Sequence, residues 1–197
     1  MRTFELNNSD KPILSIEDIS KILSISKESA KVTANRYVQS NRLIRLKRNF
    51  YITPNKLEKM KEEEYFKIAN ILQIPSYVSL VSALSYYNLS TQQTRSIVES
   101  IAVKRTTTFK IKNVEFKFFL IKKILYTDFI LENQFFIASP EKAFADAIYL
   151  TSLGRYDCDF EAIDFKKINK QKVNKIIQST NSKTKTFWNN LCKRYKI

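Results

Sequence analysis

The sequence predicts an α+β fold in which an N-terminal winged helix-turn-helix precedes a mixed α/β domain with a helical, basic C-terminal tail. Three observations predict it: two short helical patterns followed by a hairpin pattern, mixed helix and strand patterns beyond, and positive charge at both ends of the 197-residue chain. We place the domain boundary after residue 60, which gives domains of residues 1–60 and 61–197, and we expect the basic tail from about residue 166.

The charge distribution is more informative than the formal net charge of +15. Residues 1–60 contain 12 Lys and Arg against 6 acids, residues 61–165 contain 12 against 13, and residues 166–197 contain 10 against none. A strong bias in codon usage also raises Lys content, but it would not leave the middle of the chain neutral. Two basic ends around a neutral middle favour a polyanionic partner such as nucleic acid.

The two N-terminal helices are predicted from their caps and from apolar spacing. Ser15 begins a Ser-x-x-Asp pattern of the capping-box type, and Ser26 is a good N-cap for a second helix that runs to about Ser40. Asn41 follows at a position where a left-handed residue is expected. Two β-prone runs around residues 47–49 then predict a hairpin with a basic tip.

The second helix has one apolar face, formed by Ala30, Ala34, Tyr37 and Val38, and the opposite face is predicted to enter the major groove of double-stranded DNA. There, Arg36 suits a guanine edge, Asn35 an adenine and Val32 a thymine methyl group. The basic hairpin tip suits phosphate or the minor groove. The predicted DNA-binding residues are Ser26, Lys27, Lys31, Val32, Asn35, Arg36, Arg45, Lys47 and Arg48.

Each of these residues also has an alternative interpretation. A polar helix face can simply be solvated, and basic residues on a hairpin can protect an exposed strand edge. An outward-facing Val32 and a basic hairpin at the right distance favour the DNA-binding interpretation.

The second region alternates helical and strand patterns. Helices are expected over about residues 64–72, 77–87, 170–179 and 183–195, with another after the Ser139-Pro140 cap, and strands near residues 96–104, 114–121 and 134–138. Phe187, Trp188 and Leu191 offer an apolar face that could pack the last helix on this domain, as an alternative to a DNA contact by the tail.

The residues that are missing exclude several classes of enzyme. The chain has no histidine, its only glycine is Gly154, and its only cysteines are Cys158 and Cys192. A Ser-His-Asp site, a glycine-rich phosphate loop and a closed zinc site are therefore excluded. We expect no catalytic residue, no cofactor and no metal. The less favoured alternative is a metal-dependent nuclease that uses the acids spaced along residues 157–164.

The sequence also bears on location. No apolar run approaches the roughly 18 residues that a membrane span requires, and the first ten residues lack the apolar stretch of a signal peptide. We therefore expect a cytoplasmic protein without a membrane partner.

Three segments resemble the AbiE abortive-infection antitoxin family, of AbiEi type. Residues 74–89, IPSYVSLVSALSYYNL, resemble its psYiSleSALsyyGL block, and residues 137–150, IASPEKAFADAIYL, resemble its AsPEKALlDllYL block. Residues 43–51, LIRLKRNFY, are similar to its GLIxRlxRGxY wing. The blocks occur in the family's order, and the resemblance covers about residues 12–155. Where the family has glycine, this chain has Asn41, Asn49 and Asn88, and Asn tolerates positive φ better than most residues.

The resemblance implies a transcriptional autorepressor that binds inverted repeats in its own promoter. It also implies an antitoxin of a type IV toxin-antitoxin system that counters a nucleotidyltransferase toxin without requiring a stable complex. Self-association on DNA is compatible with this function. Some relatives regulate transcription without a toxin partner, so a stand-alone regulator is the alternative. Lys142 and Asp146, one turn apart on the predicted outer side of a helix, are candidates for neutralising the toxin, although such a pair often serves only as helix support.

Overall fold

The computed structural model describes residues 3–92 and 96–196 and shows an α+β protein with two β-sheets. The chain divides into two compact units, Met1–Glu64 and Tyr65–Ile197. The division lies after Glu64, whereas the boundary placed from the sequence lies after residue 60.

The first unit contains short helices and a small sheet. Its elements are α1 (Thr3–Asn7), β1 (Leu14–Ser15), α2 (Ile16–Ile22), α3 (Lys27–Gln39), β2 (Ile44–Lys47), β3 (Phe50–Ile52) and α4 (Pro54–Glu58). The strands pair antiparallel in the order β1-β3-β2.

The predicted helix starts are confirmed by their caps. The Ser15 side chain accepts a hydrogen bond from the Asp18 amide at 3.1 Å, and the Asp18 carboxylate accepts from the Ser15 amide at 2.9 Å, so the capping box is complete. The Ser26 side chain accepts from the Ser29 amide at 3.1 Å and caps α3. These contacts satisfy amides that have no partner within the helix.

The core of the first unit joins α3 to α2 and to the sheet. Ala30 and Ala34 are fully buried, and Tyr37 and Val38 are partly buried against the same core, as the sequence predicts. Small side chains at the contact allow the α3 backbone to approach its neighbours closely. The buried residues of this core are Leu6, Leu14, Ile16, Ile19, Leu23, Ala30, Ala34, Leu43 and Tyr51.

The second unit is built around a six-stranded sheet. The elements from the unit boundary onward are α5 (Glu62–Leu72), β4 (Ser76–Val78), α6 (Leu80–Tyr86), β5 (Ile97–Ala102), β6 (Thr107–Ile111), β7 (Val114–Leu120), β8 (Phe129–Glu132), β9 (Phe135–Ala138), α7 (Pro140–Ser152), α8 (Lys170–Gln178) and α9 (Ser182–Tyr195). The strand order is β6-β7-β5-β4-β9-β8. β5 pairs parallel with β7 and β4 pairs parallel with β9, while the other pairs are antiparallel.

One predicted element is wrong at its start. The helix expected from Tyr77 is preceded by strand β4, and α6 begins only at Leu80. All three residues of β4 are buried and the strand lies between β5 and β9, so the apolar Tyr77 and Val78 belong to a central strand rather than to a helix face.

The basic tail is helical, as predicted, and it packs on α7. Val173 and Ile177 of α8 are buried, as are Trp188 and Leu191 of α9. The Trp188 ring meets the Phe144 ring edge-on at 5.8 Å between centroids. The tail is therefore part of the core of the second unit.

Candidate nucleic-acid interface

The outer face of α3 carries most of the predicted DNA-binding side chains. Lys27, Lys31, Asn35 and Arg36 are exposed, and 51% of the Val32 surface is exposed. A large apolar side chain left in solvent, opposite a fully buried alanine face, gives this helix two distinct surfaces. Such a surface can contact both polar base edges and a thymine methyl group.

Ser26 is exposed but its hydroxyl is already used. The Oγ atom accepts from the Ser29 amide and lies 3.0 Å from the Ser29 Oγ. Its local role is therefore to begin α3.

The charges on α3 are unequally neutralised. Lys27 forms an ion pair with Glu17 on α2, and that contact lowers the pKa of Glu17 and raises the pKa of Lys27. Lys31 lies 4.0 Å from Glu28, and both side chains are exposed. Across the described residues no carboxylate pairs with Arg36, so its guanidinium keeps its charge and its donors for another partner.

The hairpin carries three exposed basic side chains, two on strand β2 and one in the turn. Lys47 pairs with Phe50 across β2 and β3, which leaves Arg48 and Asn49 as the turn, and the register shifts between Arg45 and Lys47. Arg45, Lys47 and Arg48 are exposed, and Leu46 between them is buried. The alternation anchors the strand through Leu46 while the charges project outward.

Asn41, Asn49 and Asn88 have positive φ angles, as expected at the three predicted turns. The φ angles are 55° at Asn41, 67° at Asn49 and 55° at Asn88. The first ends α3, the second forms the hairpin turn and the third follows α6. The turns are therefore retained without glycine.

The two resemblance blocks of the second unit meet in one buried polar cluster. The Tyr77 hydroxyl and the Ser79 hydroxyl each donate to the Asp146 carboxylate at 2.9 Å. The Lys142 ammonium lies 2.7 Å from the other oxygen of Asp146 and donates to the Leu125 carbonyl at 2.7 Å. These residues link α7 to β4 and to the segment that precedes α6.

The predicted position of Lys142 and Asp146 is wrong, because neither lies on an outer side of the helix. Lys142 is 1% exposed and Asp146 is 2% exposed. Residues of α7 contact α6, α8, α9 and β9, so the face that looks polar in the sequence is also covered. Burial raises the pKa of Asp146, against the lowering effect of Lys142. The two side chains cannot contact a partner on the protein surface.

A second buried carboxylate, Glu99, was not predicted from the sequence. It accepts from the Val81 amide at 3.2 Å and from the Tyr156 hydroxyl at 2.9 Å. Burial raises the pKa of Glu99, and burial together with Glu99 raises the pKa of the Cys158 thiol to about 12. The one charged residue in the mainly apolar strand β5 was the available signal. A buried thiol with a raised pKa is typical of a structural cysteine rather than a reactive one.

The acids of residues 157–164 serve local structure. Asp159 accepts from the Glu161 amide at 3.0 Å, and Asp164 accepts from the Lys166 amide at 3.2 Å. Glu161 lies 3.4 Å from Arg194. Within residues 3–92 and 96–196, no three acidic or cysteine side chains come together in a group that could hold a metal.

Comparison with known proteins assigns the chain to no family: no protein-family model matches it, and no curated protein is detectably similar. None of the helices described above is both long enough and apolar enough to span a membrane.

Proposed function

We propose that the chain is a DNA-binding transcriptional repressor whose first unit is a winged helix-turn-helix. In this proposal α2 and α3 are the helix pair, α3 enters the major groove, and the β2–β3 hairpin is the wing. The observation that carries the proposal is the outer face of α3, where exposed Val32, Asn35 and Arg36 lie opposite a buried alanine face.

The contacts divide by their chemistry. Arg36 and Asn35 read base edges, Val32 packs on a thymine methyl group, and Arg45, Lys47 and Arg48 bind phosphates beside the groove. Lys27 and Lys31 add positive charge at the start of α3, although Glu17 and Glu28 offset part of it. The partner is double-stranded DNA, with inverted repeats in the chain's own promoter as the site that the AbiE resemblance implies.

The second unit is proposed to be the antitoxin of a type IV system that counters a nucleotidyltransferase toxin. Support comes from the resemblance of residues 74–89 and 137–150 to two blocks of the AbiE family. In this chain Tyr77 and Ser79 from the first segment meet Lys142 and Asp146 from the second in a buried cluster. The surface that protects against the toxin must use other residues.

The burial of Lys142 and Asp146 also favours a second candidate function. With these two residues buried, neither of the predicted toxin contacts lies on the surface of the second unit, which suits a stand-alone transcriptional regulator. This candidate shares the DNA-binding unit and differs only in what the second unit does.

Two assays on the same proteins test the proposal. The full chain should shift DNA of its own promoter in a mobility assay, and it should restore growth when co-expressed with a nucleotidyltransferase toxin encoded beside it. Residues 61–197 alone should restore growth without repressing the promoter, while residues 1–60 should rescue nothing.

The outcomes separate the candidates. Promoter binding without growth rescue, by a folded second unit, would favour the stand-alone regulator. Failure of the folded full chain to distinguish its promoter from unrelated DNA would overturn the repressor proposal.

A further inference from the structure

An apolar patch lies at one edge of the six-stranded sheet. Seven large apolar side chains are strongly exposed in the described part of the chain, and four of them lie between Ile124 and Phe136. Ile124 is 74% exposed, Leu131 65%, Ile130 51% and Phe136 42%. Clustered exposed apolar residues of this kind mark an association surface more often than isolated ones do.

Strand β8 forms this edge and offers backbone groups for pairing. The Asp128 carbonyl accepts from the Ser139 amide at 3.0 Å, so the backbone groups of Asp128 point towards β9. The direction of the backbone groups alternates along an antiparallel strand. The amide and carbonyl of Ile130 therefore also point towards β9, whereas those of Phe129 and Leu131 point outward. Within residues 3–92 and 96–196, no strand pairs with this outer side.

The opposite edge of the same sheet, strand β6, is protected against pairing with another strand. The exposed residues of β6 are Thr108 and Lys110, and a lysine on an edge strand discourages pairing. The exposed residues of β8 are Ile130 and Leu131. The sheet therefore has one edge that repels another strand and one that is open to it.

We propose that β8 pairs with β8 of a second copy of this chain, antiparallel about a two-fold axis. A two-fold axis requires a surface that complements itself. With Ile130 opposite Ile130 of the second copy, each Phe129 lies opposite Leu131 of the other copy, so apolar side chains meet apolar ones on both faces. A shift to the next allowed register would place Ile130 opposite Glu132, whose carboxylate accepts from the Tyr86 hydroxyl at 3.0 Å.

A groove beside β8 can accommodate the incoming side chains. It has a volume of about 540 Å³, and its walls include Ile124, Phe129, Ile130 and Ile176. Lys172 and Lys175 also line it, beside the acids Asp128 and Glu141. The mixed charges make the groove nearly neutral, which suits an apolar strand of the same chain better than a strongly charged ligand.

The size of the patch sets the strength of the dimer. Four such side chains expose on the order of 400 Å² per copy, about half of the roughly 800 Å² that each partner contributes to a stable interface. The dimer is therefore weak in free solution. It is favoured when two copies are held on adjacent DNA half-sites, a consequence that rests on the repressor function proposed above.

Cysteine crosslinking tests the pairing and its register. In a Cys192→Ser background, Ile130→Cys should form a disulfide-linked dimer in oxidised glutathione, because residues of a non-hydrogen-bonded pair lie about 4.5 Å apart between Cα atoms. Thr108→Cys, on the opposite edge, is the matched control and should remain monomeric. Equal and slow crosslinking of the two variants would overturn the proposal.

Sedimentation equilibrium of the full chain provides the second measurement. Leu131→Lys should raise the dimer dissociation constant about tenfold or more, a change of at least about 1.4 kcal/mol, while Thr108→Lys should leave it unchanged. A chain that is monomeric at all concentrations, or equal effects of the two variants, would contradict the proposal. Neither measurement uses DNA, so failure of the DNA-binding proposal would not affect the test of the dimer.

Discussion

Arg36 and Arg48 are both exposed arginines of the first unit, but different roles are proposed for their positions. Arg36 lies on the helix face that is proposed to read bases, and Arg48 lies in a hairpin turn. Specificity depends on base contacts, whereas phosphate contacts contribute affinity for any sequence. Substitutions at the two positions should therefore have different signatures.

Replacing Arg36 with Ala should weaken binding to the promoter site by about 1–3 kcal/mol and relax base preference at one position. Arg36→Lys is the control, because it keeps the positive charge but loses the bidentate hydrogen-bond geometry of the guanidinium. Arg48→Ala should weaken all DNA alike and reduce the salt slope of binding by about one. Mobility shifts on specific and scrambled DNA measure both effects. Unchanged specificity in Arg36→Ala would mean that α3 is oriented differently.

Removing the ammonium of Lys142 should destabilise the second unit strongly. Lys142→Met leaves the Asp146 carboxylate buried without its cation, and breaking a buried pair in this way costs about 3–5 kcal/mol. Lys172→Met is the control: Lys172 lies 3.7 Å from Glu141 but its side chain is 67% exposed, so the loss should be below about 1 kcal/mol. Urea unfolding measures both. Similar losses for the two variants would show that the buried pair contributes no more than an exposed one.

Glu99 should make stability depend on pH. Its pKa is raised by burial, so the folded chain holds this proton more tightly than the unfolded chain. The contribution of Glu99 to stability is then largest in acid and falls as pH rises from the ordinary carboxyl pKa through the folded one. Glu99→Gln should be more stable than the parent at pH 7, and this advantage should disappear at pH values below the ordinary carboxyl pKa. Thermal unfolding across pH would contradict the prediction if the difference were constant, and Glu115→Gln, at a partly exposed position of β7, is the control.

At the scale of helices and strands, elements that depend on neighbouring residues were predictable from the sequence. Burial by residues that are distant in the chain was not. The capping Ser15 and Ser26 and the asparagine turns depend on neighbouring residues, so the sequence predicted α2, α3 and the hairpin closely. Strand β4 was missed because pairing on both sides, rather than any local pattern, makes its three residues a strand.

The same reason explains the error at α7 and two other omissions. An i,i+4 charge pair looks like solvent-exposed helix support, and only long-range packing buries Lys142 and Asp146, which meet Tyr77, Ser79 and the Leu125 carbonyl. Strands β6 and β8 were not predicted, and both are edge strands with a single pairing partner. An edge strand carries weak alternation, because only part of its surface meets the core.

The two tail helices combine a packed side with a charged side, which changes how their role must be tested. Deleting residues 166–197 would remove the buried Trp188 and Leu191 along with the charge. Substituting exposed lysines is cleaner. Lys175→Gln, Lys183→Gln and Lys193→Gln together should flatten the salt slope of DNA binding by about two to three if the tail contacts phosphate.

The matched control removes the same charge elsewhere. Lys104→Gln, Lys112→Gln and Lys122→Gln also replace three exposed lysines of the second unit, and they lie outside the tail. Equal slopes for the two triple variants would exclude a specific role of the tail in binding DNA.

At the scale of the whole molecule, the boundary between the two units lies within helix α5. The boundary after Glu64 falls within α5, which runs from Glu62 to Leu72. A fragment that begins at residue 61 keeps this helix complete, whereas one that begins at residue 65 loses its first turn. Fragments for the growth and repression assays are therefore best cut at 60/61.

The burial of α7 has a consequence for the rate of hydrogen exchange in the second unit. Eleven of its thirteen residues are buried, whereas only Ala30 and Ala34 are buried in α3. An amide inside α7 can meet deuterated solvent only when the surrounding helices separate, so its exchange should report global unfolding of that unit. The amides of α3 should exchange much sooner, through local fraying. Exchange measured by mass spectrometry should therefore find the most persistent protons in α7, and the proposed DNA-reading helix among the more labile segments.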